Sequence, residues 1–230
     1  MYRMGLVRSV TLNIDIMKIL IACEYSGAVR DAFIKQGHYA MSCDLLPTDS
    51  PGPHYQGSVF DIVNDGWDMM IAHPPCTYLA VSGNRWLYNK DKTRNEERWK
   101  NREEGLDFVR VLINAPIEKI AIENPVSCIS SEIRKPDQII QPWQFGDEAQ
   151  KTTCLWLKNL PKLKPTKIVG KGEFTTFKSG KRHPKWYADA LATAKTKAER
   201  QKLRSKTFQG IADAMAEQWG VKTTKQLELI

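Results

Sequence analysis

Two side chains in this sequence are placed to work as a nucleophile and an acid. The stretch IAHPPCTY, residues 71–78, ends an apolar run at His73, two prolines and Cys76. Because prolines restrict the backbone, the thiol would be held in place at little entropic cost. A single cysteine is more often a small packing residue than a nucleophile, so Cys76 alone leaves both interpretations open.

The second side chain is Glu123, which follows the apolar run of the stretch IAIENP. Partial burial at a strand end tends to raise the pKa of a carboxyl group, and a neutral Glu123 could donate a hydrogen bond to a substrate. The ordinary alternative is an acid that caps the N-terminus of a helix. On these residues alone both interpretations of Glu123 stay open.

The elements that must position these residues have the pattern of an α/β domain. KILIACEYSG reads as a strand buried on both faces, AVRDAFIKQGH as a helix ended by Gly37, and HYAMSCDLLP as a strand ending at Asp44. This order opens a Rossmann-type unit. PTDSPGPHYQG is predicted to be a loop. Further strands are predicted in WDMMIAHPPC, KIAIENP and TTCLWLKNLP, and helices over 91–115 and 207–220.

Polar residues follow four predicted strands, at 24–27, 44, 73–76 and 123–124. Ligands of open α/β sheets bind at the carboxyl ends of the strands, so we expect one common site. The first turn contains a single glycine, which disfavours dinucleotides, and no P-loop is present. S-adenosylmethionine has no phosphate and suits such a turn, with an acid for its ribose; a tight turn beside a solvated acid is an equally open interpretation.

Charge is distributed unevenly along the chain. The formal net charge is +8, but residues 151–206 hold 16 Lys or Arg against three acids, about +13. A basic segment joined to an acidic body favours a nucleic-acid partner, although a solvated lysine-rich surface is the plain alternative.

Composition predicts a cytoplasmic protein of 230 residues with one substantial domain and at most a small appendage. The sequence has no apolar run of membrane-spanning length and no evident secretory signal. The five cysteines are widely spread and form no C-x-x-C pair, so neither a zinc site nor a disulfide framework is expected.

The Pro-Pro-Cys and Glu-Asn pair makes the chain resemble the cytosine-C5 DNA methyltransferases, in a short form like those of phages and prophages. WDMMIAHPPC is similar to the strand and Pro-Cys motif that carry the family's nucleophile, here Cys76, and IENP to its Glu-Asn-Val motif, here Glu123. YSG at 25–27 is similar to the Phe-Ser-Gly of the cofactor loop, FGDEAQKTTCLWL faintly resembles a Gln-x-Arg-x-Arg motif, and GIADAMA is like the closing helix. The resemblance covers most of residues 18–220.

This resemblance implies a Rossmann-like, S-adenosylmethionine-dependent methyltransferase fold with a small basic insertion. It implies methylation of cytosine C5 in double-stranded DNA through a covalent Cys76 adduct, without a metal. The sequence does not give the oligomeric state, and a monomer is favoured. The cofactor-binding residues implied are Tyr25, Ser26, Gly27, Asp44, Asp61 and Pro74. For nucleic acid we expect Arg85, Lys151, Lys181 and Arg182, with residues 78–94 as a mobile loop that closes over DNA.

The predicted organisation is an extension (1–16), a catalytic domain (17–160), a basic target-recognition-like segment (161–206) and a helix that returns to the catalytic domain (207–230). His73 and Thr77 stand where the family has Gly and Gln, which favours a second hypothesis, a nucleic-acid-binding protein on a methyltransferase fold that no longer turns over. A third, an amino methyltransferase acting at N4 or N6, calls for Asp or Asn before Pro-Pro and an aromatic after it, which His73 and Cys76 fit poorly.

Overall fold

The main sheet has seven strands in the part of the chain that the computed structural model describes, residues 16–205 and 207–221. In chain order the strands are β1 Lys18–Ala22, β2 Tyr39–Asp44, β3 His54–Gln56, β4 Met69–Ala72, β5 Lys119–Asn124, β6 Gln138–Ile140 and β7 Thr153–Lys158. They lie in the order β3-β2-β1-β4-β5-β7-β6, and β7 runs antiparallel to both of its neighbours. This arrangement is the Rossmann-like methyltransferase fold, which confirms the predicted fold class.

Helices cover both faces of the sheet. On one face, α1 Ala28–Lys35 and α6 Gln209–Trp219 enclose a buried cluster with β1 and β4, and on the other, α2 Glu96–Ile113 buries Leu106, Val109 and Leu112. Because both faces are covered, every residue of β4 is buried, as its continuous apolar sequence predicts. The shorter helices are α3 Ile129–Glu132, α4 Lys185–Thr193 and α5 Lys197–Ser205.

Local sequence explains where the first two helices begin. Gly27 precedes α1 with a φ of 76°, a left-handed conformation that glycine adopts without strain. Asn95 precedes α2, and its side chain accepts a hydrogen bond from the Arg98 backbone N–H at 3.1 Å. This cap starts α2 five residues later than the predicted boundary at 91.

The structure corrects the prediction that residues 47–57 form only a loop. They contain β3, which pairs in parallel with β2 at the edge of the sheet. A further antiparallel pair, β8 Phe174–Thr176 and β9 Arg182–Pro184, lies in the basic segment. Strands of three residues are too short to show a hydrophobic period, so neither strand can be recognised from the local residue pattern.

The basic segment contains α5, which begins at Lys197. Most of the predicted N-terminal extension, residues 1–15, lies outside the described residues, as do residue 206 and residues 222–230. Over the described ranges, no helix is both long and apolar enough to cross a membrane.

Candidate active site

The polar clusters predicted at strand ends lie along the edge of the sheet that is formed by the carboxyl ends of its parallel strands. β1, β2, β4 and β5 are mutually parallel, so the residues that follow them all leave the sheet on the same side. Because β7 is antiparallel to β5, its beginning lies at that edge as well, and Asn124 pairs with Cys154. Lys151, just before β7, therefore joins the site.

Cys76 is held by hydrogen bonds on both sides of the two prolines. The His73 backbone N–H donates to the Ala22 carbonyl at 2.9 Å, and the Asn124 side chain donates to the Pro74 carbonyl at 2.8 Å. After Cys76 the chain turns back, with the Leu79 and Ala80 N–H groups both donating to the Cys76 carbonyl. Cys76 is thereby exposed at a fixed position beside the end of β5.

Glu123 and His73 form a hydrogen-bonded pair across the ends of β5 and β4. His73 Nδ1 lies 3.0 Å from Glu123 Oε2, and the two side chains are only 11% and 13% exposed. Burial would raise the pKa of Glu123, but the hydrogen bond from His73 and the positive charge of Lys151 outweigh it and hold that pKa below its ordinary value. The interpretation of Glu123 as a neutral acid with a raised pKa is therefore wrong, because it took no account of His73 and Lys151 as partners.

The pKa of the Cys76 thiol shifts in the opposite direction. The protein packed around its sulfur and the negative charge of Glu123 raise the pKa of Cys76, while Lys151 and Arg204 act to lower it. The resting pair is thus a thiol beside a carboxylate. Arg204 belongs to α5, so the basic segment contributes charge at this site, a connection that the sequence analysis missed.

Two buried polar atoms beside the pair, His73 Nε2 and Asn124 Oδ1, have no hydrogen-bond partner among the described residues. An unsatisfied buried polar atom costs about 1–3 kcal/mol, which makes such atoms unusual away from functional sites. Both belong to residues that hold Glu123 or Cys76 in place, and Ser127 Oγ and Arg200 Nε are the other two such atoms among the described residues.

The turn after β1 is organised by Glu24, a residue that was not singled out individually. Its buried carboxylate accepts hydrogen bonds from the Val29 and Arg30 backbone N–H groups at 2.8 and 3.2 Å, and from the Ser26 hydroxyl at 3.2 Å. A carboxylate therefore occupies the helix N-terminus at which a dinucleotide would place its pyrophosphate. The turn fits a cofactor without phosphate, and an adjacent negative charge suits a sulfonium cation.

Two of the predicted cofactor residues are acids near β2 and β3. Asp44 ends β2 and accepts one hydrogen bond from Leu46 N at 2.9 Å, which leaves capacity on its carboxylate for a ribose hydroxyl. Asp61 accepts a hydrogen bond from the Tyr55 hydroxyl at 3.0 Å. Burial and the charges of both acids raise the pKa of Cys43 to about 11, so the two carboxylates lie around the same thiol. Pro74, buried, contributes the carbonyl that Asn124 holds.

Arg30 fills the space behind the turn and has a structural role that the sequence analysis missed. Its side chain is fully buried in α1, and a Cβ on Gly27 would lie 2.5 Å from Arg30 Nη2. The guanidinium donates hydrogen bonds to Asp31, Ser42, Thr48, Ser50 and Pro51. Gly27 is thus required both by its φ and by the packing of Arg30.

Tyr25, predicted to bind cofactor, also connects the turn to α5. Its hydroxyl donates to the Lys202 carbonyl at 2.9 Å and shares a hydrogen bond with the Ser205 hydroxyl at 2.7 Å. The Lys202 ammonium lies 5.2 Å from the centre of the Tyr25 ring and pairs with Asp49. These contacts hold the basic helix over the turn that follows β1.

The predicted nucleic-acid-binding residues fall in three places. Lys151 lies within electrostatic reach of Cys76 and Glu123, and Arg85 lies over the Trp86 ring, 4.4 Å from its centre. Lys181 and Arg182 are exposed on the β8–β9 hairpin, where Arg182 covers the Phe174 ring at 5.2 Å. Among the described residues, no cluster of His, Cys, Asp and Glu has the arrangement of a metal site.

The sequence matches no protein-family model and no curated protein. Among solved structures, the Entamoeba histolytica methyltransferase EhMeth is 15% identical, with a TM-score of 0.44 over 67% of this chain and 58% of that one. The S. pombe Dnmt2 methyltransferase is 15% identical, with a TM-score of 0.42 over 80% and 62%. A Spodoptera frugiperda DNMT2 mutant is 14% identical, with a TM-score of 0.37 over 67% and 54%.

This chain thus spans 54–62% of the length of the three matched chains. Identities of 14–15% with TM-scores below 0.5 identify neither an activity nor a substrate for it. The assignment of function has to rest on the chain's own residues.

Proposed function

We propose that this protein is an S-adenosylmethionine-dependent methyltransferase that modifies cytosine C5 in double-stranded DNA through a covalent bond to Cys76. The observation that carries the proposal is the pairing of Cys76 and Glu123 at the ends of the adjacent parallel strands β4 and β5. The Asn124–Pro74 hydrogen bond holds one member and the His73–Glu123 hydrogen bond holds the other.

The reaction needs a nucleophile from the protein because C5 of an intact cytosine ring attacks a methyl donor only poorly. Attack of the Cys76 thiolate on C6 forms a carbon–sulfur bond, makes C5 electron-rich and leaves negative charge at N3. Glu123 lies beside the thiol, where it can hydrogen-bond the N3/N4 edge and supply a proton. C5 takes the methyl group as the S–CH3 bond of the sulfonium breaks and leaves a neutral thioether. The C5 proton then leaves to water, the electrons of that C–H bond restore the C5–C6 double bond and expel the Cys76 thiolate, and N3 returns its proton to Glu123.

The Cys76 and Glu123 side chains of the resting site together carry one titratable proton, and the reaction uses one. In the free protein the proton is on the Cys76 sulfur and Glu123 is ionised, because the pKa of Cys76 is raised and the pKa of Glu123 is lowered. Transfer of that proton to Glu123 gives a thiolate and a neutral acid, whereas transfer to N3 gives a thiolate and a protonated base while Glu123 stays ionised. Lys151, close to both groups, stabilises the negative charge in either arrangement.

The cofactor assignment is supported by the turn after β1. When bound, S-adenosylmethionine supplies an electrophilic methyl group on a positively charged sulfur. Glu24 closes the helix N-terminus to phosphate and brings a carboxylate to this edge, and Asp44 retains capacity for a ribose hydroxyl. Tyr25, Ser26, Gly27, Asp61 and Pro74 are the further residues that we assign to this site.

The substrate assignment is supported by the basic segment. Residues 151–206 carry about +13, a charge that suits the phosphates of DNA, and Arg204 extends this charge to Cys76. Because the ring of a paired cytosine is not accessible in the stack, the target base has to be flipped out. We assign Arg85, Lys151, Lys181 and Arg182 to phosphate contacts.

The test is adduct formation on duplex DNA in which 5-fluorocytosine replaces cytosine. Fluorine cannot leave C5 as a proton does, so the wild type should remain covalently bound in the presence of S-adenosylmethionine. Cys76→Ala should form no adduct, and Cys128→Ala, which removes a buried thiol elsewhere, should behave as the wild type. A labelled methyl group on N4 or N6 would rule the proposal out.

A second candidate is a nucleic-acid-binding protein that no longer transfers methyl groups. It is favoured by the same protonation state, since a thiol beside a carboxylate is the unreactive arrangement. Calorimetry separates the two. Salt-dependent DNA binding without S-adenosylmethionine binding supports this candidate, whereas cofactor binding with turnover excludes it.

A further inference from the structure

The segment that follows Cys76 exposes aromatic rings together with arginines. Trp86 and Tyr88 are each 53% exposed and Tyr78 is 38% exposed, although these residue types are usually more buried. Arg85 covers the Trp86 ring at 4.4 Å, and Arg98 covers the Tyr78 ring at 5.1 Å. We call Tyr78, Arg85, Trp86, Tyr88 and Arg98 the aromatic face.

The aromatic face is held in place by buried contacts rather than by its own rings. Leu87, between Trp86 and Tyr88, is buried, and its carbonyl accepts a hydrogen bond from Trp99 Nε1 at 3.1 Å. Arg98 also donates to the Thr77 carbonyl at 3.2 Å, which ties α2 to the residue after Cys76. The exposed rings are therefore presented on a supported backbone.

Additional contacts support both ends of the segment. Ala80 forms a β-bridge with Ser127, just after β5, and Tyr88 forms one with Arg94. The Tyr88 ring meets the Trp99 ring edge-on at 6.3 Å. A preorganised face loses little entropy when a ligand stacks on it.

Exposed rings interleaved with arginines match one class of ligand better than others. Nucleotides carry a flat base that stacks on an aromatic ring and a phosphate that pairs with a guanidinium. Bases in a continuous duplex already stack on one another, so only unpaired nucleotides can use these rings. The face begins two residues after Cys76, which puts such nucleotides next to the target base.

We propose that the aromatic face binds unpaired nucleotides that flank the flipped target cytosine, so the preferred duplex substrate is unwound beside that base. This inference rests on the proposed function for the identity of the target base, and it deepens it by naming the substrate class. DNA and RNA share the chemistry that the face recognises.

The experiment measures binding of fluorescein-labelled 12-nucleotide single strands and of the matching blunt duplex, each made as DNA and as RNA, without cofactor. We expect the wild type to bind a single strand more tightly than the duplex. Trp86→Ala and Tyr88→Ala should each weaken single-strand binding about tenfold, since stacking on one ring contributes about that factor. Their affinity for duplex should change less than twofold.

Three controls separate stacking from charge and from misfolding. Trp86→Phe keeps a ring and should recover most of the single-strand affinity. Tyr39→Ala removes a partly exposed ring at the start of β2, the opposite edge of the sheet, and should bind as the wild type. Arg85→Gln should reduce the salt dependence of single-strand binding, which Trp86→Ala should leave unchanged.

Equal binding of single strands and duplex by the wild type, or unchanged single-strand affinity in Trp86→Ala and Tyr88→Ala, overturns the inference and leaves the face to another partner, such as a protein. The 5-fluorocytosine adduct is measured separately. If the adduct forms and the ring variants leave single-strand affinity unchanged, only the inference is overturned. If single-strand binding depends on the rings and no adduct forms, only the proposed function is overturned. The comparison of DNA and RNA single strands shows which of the two nucleic acids the face binds more tightly.

Discussion

His73 Nδ1 donates a hydrogen bond to Glu123 Oε2 at 3.0 Å, across the ends of two neighbouring parallel strands. Since an ionised carboxylate can only accept hydrogen bonds, His73 has to be the donor. The pair fixes one oxygen of Glu123 and leaves the other for a substrate. The register of β4 and β5, in which Ala72 pairs with Ile122, sets this contact.

We expect His73→Leu to reduce the free energy of unfolding at pH 7 by about 1–3 kcal/mol, because it leaves the mostly buried Glu123 carboxylate without its donor. His73→Asn, whose amide nitrogen can donate from a similar position, should lose less than half of that amount. Urea denaturation of the three proteins measures both values.

The stability difference between wild type and His73→Leu should depend on pH. The folded-state pKa of Glu123 lies below its ordinary value, so the pair contributes its stability above the unfolded pKa of about 4.3 and loses it as the pH falls through the folded pKa. The difference between wild type and His73→Leu should therefore shrink as the pH falls from 7 toward 3. A difference that stays constant would mean that His73 acts through packing alone.

Charge changes around Cys76 should shift its reactivity in opposite directions. Glu123 raises the pKa of the thiol and Lys151 lowers it. Because the thiolate is the reactive form, Glu123→Gln should accelerate alkylation by iodoacetamide at pH 8, and Lys151→Gln should slow it. The rate is followed by mass spectrometry of the peptide that contains Cys76.

Lys181→Gln, an exposed change on the β8–β9 hairpin, is the matched control for charge and should leave the rate unchanged. Rates that move together in Glu123→Gln and Lys151→Gln would contradict the electrostatic explanation. Denatured protein should lose both of these rate differences.

The proximity of Cys76 and Glu123 could be predicted from the sequence, whereas the electrostatics of the two side chains could not. Buried parallel strands are continuous apolar runs, and their carboxyl ends share an edge, so Cys76 and Glu123 could be associated without coordinates. The His73–Glu123 contact depends on strand register across 50 residues, and the Tyr25–Ser205 contact spans 180 residues. Local patterns carry no information at those separations, which is why the sequence could not decide the direction in which the pKa of Glu123 shifts.

The role of Arg30 was missed for a different physical reason. An arginine in a short amphipathic helix is ordinarily solvated, and the groups that bury this one lie 12 to 21 residues later on β2 and the following loop. β3 was missed because a polar edge strand of three residues shows neither alternation nor an apolar run.

We expect Arg30→Met to destabilise the protein by about 3–5 kcal/mol, because it removes a fully buried guanidinium that donates to several half-buried acceptors at once. Among those acceptors, the carbonyls of Ser50 and Pro51 lie 2.9 and 3.2 Å from Arg30 Nη2. Lys35→Met, an exposed change at the end of the same helix, should cost less than about 0.5 kcal/mol. Guanidinium denaturation compares them, and a loss below 1 kcal/mol in Arg30→Met would show that the loop does not depend on this side chain.

Tyr25→Phe should release α5 from the turn after β1 while keeping the ring in place. It removes the hydrogen bonds to the Lys202 carbonyl and the Ser205 hydroxyl, a loss of about 1 kcal/mol each. Because proteolysis of a local element tracks the population of its open form, limited trypsin cleavage after Arg200, Lys202 and Arg204 should accelerate about tenfold or more. Tyr39→Phe, a partly exposed tyrosine at the opposite edge of the sheet, is the control and should be cleaved at the wild-type rate. Unchanged cleavage in Tyr25→Phe would mean that the other contacts of α5, the Lys202–Asp49 ion pair and the packing of Arg204 on the Tyr187 ring, hold the helix.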